Sequence, residues 1–281
     1  MGIIQIYKGE DFVETKQKNT KVLAFDLDET LGSFSDLYYL WLGITTYYQQ
    51  NSIVYDPTEI FNALMRKYPE FLRPGIVKIL KYIYKKKVDK DCSKVFLYTN
   101  NQAHGSENSR WLHLIIQYFH ERIDAQNPPL FDKIIAAFKI NNRVVEPLRT
   151  THDKTYGDFI RCTVVPKTAE ICFIDNTYYD NMRNNRVYLI VPASYNHGLS
   201  KSTILSRLTN MKSYKLPDDF IQSWFSTHYI GNFKRTKSDL AVSQKLMYHI
   251  KEFFILGTKR NNKKTAKIGS HFGRFTRRKR K

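Results

Sequence analysis

The residues best suited to chemistry stand in one short stretch, Lys21 to Phe34, which reads KVLAFDLDETLGSF. An apolar run, VLAF, ends in Asp26, Asp28 and Glu29, with Thr30 next. Carboxylates this close repel one another, and a fold tolerates the cluster when something positive, usually a metal ion, sits among them. Asp26-x-Asp28-x-Thr30 directly after an apolar strand suits phosphoryl transfer through a carboxylate. The first Asp attacks phosphorus in line and forms an aspartyl phosphate, which water then hydrolyses. A phosphate dianion repels such a nucleophile, and Mg²⁺, which prefers oxygen ligands, offsets that repulsion. Asp28 reaches the leaving oxygen, donating a proton in the first step and taking one from water in the second. Glu29 is expected to point away from the metal, towards local structure.

Elements must bring partners to this cluster. Five short apolar runs read as buried, mainly parallel strands: 22–25, 95–98, 134–138, 171–174 and 187–191. Stretches of helical spacing separate them. Pro74 opens one, with Ile76, Ile79, Leu80 and Ile83 on one side; Ser109 is placed to cap another, carrying Trp111, Leu112, Ile115, Ile116 and Phe119. Alternating strands and helices imply an α/β fold with a mainly parallel sheet, in which ligands bind beyond the carboxyl ends of the strands. The Asp26 cluster is at such an end, as are Thr99-Asn100 and Asp175-Asn176. Thr99 and Asn100 would donate to phosphoryl oxygens, and Asp175 would complete the metal's protein ligands. A lysine is also needed to offset charge in the transition state. Lys154 and Lys139 are the candidates. His104, His113, His120 and His152 have irregular spacing and are read as surface or partly buried residues.

With AFDLDETL joined by LRPG (72–75), LYTN (97–100), a lysine and FIDN (173–176), the chain resembles the haloacid dehalogenase (HAD) superfamily. The closest likeness is to the FCP/SCP, or NLI-interacting-factor-like, branch, phosphatases of the carboxyl-terminal domain (CTD) of RNA polymerase II. It covers roughly residues 20–200. The resemblance implies a HAD-like Rossmannoid core, Mg²⁺ dependence and phosphoserine or phosphothreonine substrates. It makes Asp26 the nucleophile and a metal ligand, and Asp28 the acid/base, binding metal through its backbone carbonyl. Asp175 becomes a metal ligand, Thr99 and Asn100 phosphate contacts, and Thr30, Arg73 and Asn176 supporting residues. Lys154, in THDKTYGDFIR, is preferred to Lys139 as catalytic and phosphate-binding lysine. The same mechanism on a nucleic-acid end or nucleotide, and an inactive docking module, are the alternatives.

Composition bounds the rest. Of 281 residues, 42% are apolar and 14% aromatic, enough for a proper core. Three separated cysteines argue for a reducing compartment and against a zinc or disulfide framework. The N-terminus shows no signal-peptide pattern, and no apolar run approaches a membrane span. An intracellular protein is expected, in nucleus or cytoplasm. Its Lys-, Asn- and Tyr-rich character is compatible with a large DNA virus. The net charge is +19, yet the basic tail 259–281 holds eleven Lys and Arg and no acid, leaving +8 for the first 258 residues. That tail is expected to be disordered and to meet nucleic acid or an import receptor, which favours the nucleus. The expected organisation is a core over 1–200, with an aromatic-rich insert at 33–72, and a helical extension over 201–258. The insert's tyrosines and tryptophan are read as core packing. Ser238 is the expected cap of the last helix, with Leu240, Leu246, Ile250 and Phe254 as its stripe.

Overall fold

The computed structural model describes residues 4–14, 19–101, 110–125, 127–211, 213–228, 231 and 239–258. Its strands are β1 (Ile4–Lys8), β2 (Phe12–Glu14), β3 (Lys21–Phe25), β4 (Lys94–Tyr98), β5 (Lys133–Ile135), β6 (Lys139–Ile140), β7 (Arg143–Val144), β8 (Glu170–Ile174), β9 (Val187–Pro192) and β10 (Leu256–Thr258). Its helices are α1 (Ser35–Gln50), α2 (Pro57–Lys67), α3 (Ile76–Val88), α4 (Arg110–Ile123), α5 (Tyr156–Thr163), α6 (Lys201–Thr209), α7 (Asp218–Thr227) and α8 (Asp239–Ile255).

Six strands form the central sheet in the order β1-β9-β8-β3-β4-β5. Every neighbouring pair from β9 to β5 is parallel, and only the edge strand β1 runs antiparallel. The fold is therefore α/β with a mostly parallel sheet between helices, as the alternation of apolar runs requires. β3 and β8 are buried from end to end, which is why they read as unbroken apolar runs. Alternate residues face opposite sides. Leu23, Phe25, Leu97 and Ile174 meet α1–α4 and α6–α8, while Val22, Ala24, Phe96 and Phe173 meet α5.

The segment 33–72 forms α1 and α2, and its aromatics pack inward: Trp41 lies 5.6 Å from Trp111, and Tyr68 is fully buried. Asp56 caps α2 by accepting from the Thr58 amide, and Pro57 opens it. In the segment 201–258, Leu246, Ile250 and Phe253 of α8 join the core that contains Tyr188 and Ile190 of the sheet. β10 pairs with β2.

Four local expectations need correction. The strand expected over 134–138 covers only Lys133–Ile135, because the Ala136 carbonyl is taken by the Arg149 guanidinium and the chain leaves the ladder. The helix after Pro74 starts at Ile76, since Gly75 adopts φ +80°, a conformation glycine enters without penalty. The inward stripe of α8 is Val242, Leu246, Ile250 and Phe253, with Leu240 exposed and Phe254 only half-buried. Ile116 of α4 is likewise half-buried, and Leu114 and Ile123 complete that helix's buried side. Ser109, Ser238, His104 and the tail 259–281 lie outside the described residues. Among the described residues, no helix is long and apolar enough to cross a membrane.

Candidate active site

Three neighbouring strands deliver the site. Asp26, Thr99 and Asp175 are each the first residue beyond β3, β4 and β8, and each is held in line by a backbone bond to the adjacent strand. The Asp26 amide donates to the Ile174 carbonyl, Thr99 to Ile135, and Asp175 to Ile190. Parallel register thus brings three polar residues to one edge of the sheet. Lys154 arrives from the other face, immediately before α5, whose Thr155 side chain caps the helix by accepting from the Asp158 amide. These residues line one polar cavity of about 300 Å³, together with Asp28, Glu29, Asn100, Asn101, Asn176, Thr177 and Tyr179.

Lys154 is its centre. The ammonium donates to Asp26 Oδ1 and to Asp175 Oδ2, both at 2.6 Å, and lies under the rings of Tyr98 and Tyr179. Burial alone would strip this lysine of its proton, but the charges of Asp26 and Asp175 outweigh burial and raise its pKa. Two carboxylates share one ammonium. Burial pushes the Asp175 carboxyl up; Lys154 pulls it back, and Asp26 reinforces burial. Thr30 completes the frame, its hydroxyl lying 3.2 Å from Asp26 Oδ2 and 2.9 Å from Asn176 Oδ1, while it accepts from the Asn176 amide.

Asp28 stands apart from this lysine. Asn101 Nδ2 donates to its Oδ2 at 2.6 Å, while its Oδ1 is buried without a hydrogen-bond partner. Burial pushes its carboxyl up to about 6; the Asn101 bond opposes this, and the charges of Asp26 and Glu29 add to it. Such a carboxyl keeps its proton into the range where it serves as an acid.

Two buried arginines hold the loops. Arg73 donates to the carbonyls of Thr30, Glu29 and Ala193. Glu29 has φ +59° and is fixed there by Arg73, by the Tyr195 amide on its carbonyl and by its own amide on Gly32. Arg149 donates to the carbonyls of Ala136 and His152 at 2.7 and 2.8 Å, and more weakly to Thr99 and Asp153. It joins the β4 and β5 ends to the loop that carries Lys154.

The structure thus gathers Asp26, Asp28, Thr30, Thr99, Asn100, Lys154, Asp175 and Asn176 around one cavity, with Arg73 directly behind it. Lys139, the other lysine considered, lies on the β6–β7 hairpin and does not line the cavity. Glu29, expected to face away, lines the cavity while accepting from Asn176 Nδ2. Asn100 Nδ2 is engaged by the His152 carbonyl, and it is Asn101 that reaches Asp28. Asn101 and Arg149 were not singled out from the sequence. The paired asparagines after LYT were a visible signal for the first; a lone Arg in EPLRT gives none.

The donors fit a hard divalent cation. Asp26, Glu29 and Asp175 place three carboxylates around one ammonium, and Asn100 Oδ1 is a buried oxygen without a partner. Among the described residues, no three His, Cys, Asp or Glu side chains converge closely enough to enclose a metal by themselves. Mg²⁺ does not require that, since it keeps several waters and takes one or two carboxylates.

No family model matches the chain, and no curated protein matches it. Among solved structures it is similar to a HAD-hydrolase, YfnB from Bacillus subtilis, crystallised with magnesium, at 15% identity and a TM-score of 0.27. That match covers 57% of this chain and 79% of the other, and at this score the likeness carries no assignment.

Proposed function

We propose that the protein is a Mg²⁺-dependent phosphatase of the HAD type, acting through an aspartyl phosphate on Asp26. The observation that carries this reading is the convergence of Asp26, Thr99 and Asp175 from three parallel strand ends on the buried Lys154 ammonium. Asp26 and Asp175, with the Asp28 backbone carbonyl, would hold Mg²⁺, which would neutralise charge between the nucleophile and the phosphate oxygens.

Asp26 is positioned by Lys154 and Thr30 to attack phosphorus, displacing the substrate oxygen. Asp28 carries its proton at the partnerless Oδ1 and gives it to that leaving oxygen; its carboxylate then takes a proton from the water that cleaves the Asp26–phosphate bond. Lys154 and the Thr99 hydroxyl offset charge on the transferring group. Asn100 helps hold the Thr99 strand end to the Lys154 loop through His152. The motif resemblance favours phosphoserine or phosphothreonine of proteins, RNA polymerase II tail-like sequences among them, and we read the basic segment 259–281 as a contact for nucleic acid or an import receptor.

Hydrolysis of p-nitrophenyl phosphate by wild type and Asp26→Asn, each with Mg²⁺ and with EDTA, tests the reading. Turnover by the wild type with Mg²⁺ alone is expected. A wild type as silent as the variant, with Mg²⁺ bound, would turn the assignment towards a docking module.

A further inference from the structure

The positive surplus of the chain is concentrated. Between Ile76 and Lys94 stand seven lysines and two acids, five of the eight surplus charges carried by residues 1–258. α3 turns this run into a face. Lys78, Lys81 and Lys85 recur at three and four residues, so they share one ridge, and all are exposed, while Ile76, Ile79, Leu80 and Ile83 are buried behind them. Beside the ridge a groove of about 470 Å³ runs between α3 and the end of α4, lined in part by Tyr82, Tyr84 and Ile123. Asp89 pairs with Lys85 at 2.9 Å, and Asp124 is the other acid of the groove.

This face leads to the root of the basic segment. The rings of Tyr82 and Phe254 are 6.1 Å apart, Lys86 lies 5.5 Å over Phe254, and Lys251 lies 5.7 Å over Tyr82. α8 runs straight into β10, whose last residue, Thr258, precedes the eleven basic residues of 259–281. Thr258 bonds Glu170 at the start of β8, whereas Asp175 follows the end of that strand. The two poles are about 16 Å apart at about 3.3 Å per strand residue.

We propose that the α3 ridge and its tyrosine-lined groove bind single-stranded nucleic acid, at a place separate from the phosphate site. Lys78, Lys81 and Lys85 set three ammonium groups in a row along about 10 Å of helix, a cationic track for a phosphate backbone. Half-buried tyrosines between lysines supply the ring faces on which bases stack without sequence preference. The groove beside the ridge and the catalytic cavity share no lining residue, so a strand bound on α3 tethers the protein and is not its substrate.

Anisotropy of a fluorescein-labelled oligothymidylate, titrated with the full-length chain at several salt concentrations, tests this. Lys78→Gln, Lys81→Gln and Lys85→Gln together are expected to weaken binding about tenfold and to lower the salt slope by about 2, at about 0.7 per single-strand contact. Hydrolysis of p-nitrophenyl phosphate should be unchanged. Tyr84→Leu should weaken binding about tenfold with the slope intact. Oligonucleotide binding untouched by both variants overturns the proposal, as does a wild type that binds anionic phospholipid vesicles through these lysines and ignores the oligonucleotide.

Discussion

β3 and β8 lie side by side, and each end of this pair carries a buried lysine against carboxylate, on opposite terms. At the lower end Lys21 stands in register with Glu170. The Lys21 ammonium donates to Glu170 Oε2 and to the carbonyls of Phe253 and Leu256; Glu170 Oε1 accepts from Asn19 and from the amide and hydroxyl of Thr258. One lysine meets one carboxylate. At the upper end one lysine meets two, with Asp28 and Glu29 beside them and partnerless oxygens on Asp28 and Asn100. A matched pair pins α8 and β10 to the sheet. A surplus of charge that the protein leaves unsettled marks the place where a ligand settles it.

The largest test of this contrast is Asp26→Asn. It should lower turnover by at least about 10³-fold while leaving the thermal midpoint unchanged or higher, since one repelling charge is gone. A variant that lost stability along with activity would break the contrast. The lower end should behave in reverse. Glu170→Ala leaves the Lys21 ammonium buried without its carboxylate, an expected loss of about 3–5 kcal/mol by urea unfolding. Activity per folded molecule should be kept. Replacing the pair together, Lys21→Met with Glu170→Leu, should recover most of the lost stability.

The upper end was legible because its chemistry is local. Asp26, Thr99 and Asp175 each follow an apolar strand, so the run itself announces the edge where the polar residue lands. Parallel topology then does the assembly, and the sequence order of motifs suffices. Lys154 was harder, because a loop lysine has no strand to mark it; the sequence prefers it to Lys139 on motif likeness alone, and its contact with two aspartates is visible only in the fold. Arg149 was invisible as a site residue and Asn101 was marked only by its place in the asparagine pair, because the function of each is tertiary. One bonds carbonyls from three segments and the other reaches across from β4 to Asp28. The lower end was equally hidden, since Lys21 and Glu170 are ordinary charged residues until the register of two strands pairs them.

Arg149 sharpens the comparison from the upper side. Its guanidinium holds the Lys154 loop against the β4 and β5 ends without touching the cavity's carboxylates. Arg149→Met should let Lys154 drift, and displacements near 1 Å reduce turnover by about 10²-fold. The expected signature is a fall in kcat with a smaller change in KM. Arg149→Lys should not rescue it, because a single ammonium does not reproduce a planar fork across several carbonyls.

The smallest effects carry opposite signs at the two ends. The Asp28 carboxyl, raised from 3.8 to about 6, holds its proton more tightly folded than unfolded. In EDTA, stability should therefore fall by about 2 kcal/mol as pH rises from about 4 to 7, and stay level above. Asp28→Asn should flatten that limb. Glu252, in the lower half, is the reverse case. Burial works upward on it, but hydrogen bonds from Lys8, Tyr188 and His249 outweigh burial and hold it at about 2. Its contribution is complete above 4.5 and is lost as pH falls through that value towards 2. With a quarter of the side chain open to water, screening reduces this to about 1 kcal/mol. Urea midpoints of Glu252→Gln from pH 5 down to the acid transition should show the wild type's advantage shrinking as acid is added. An advantage that grew instead would give both ends of the sheet the same electrostatic character and remove the distinction between a settled pair and an unsettled one.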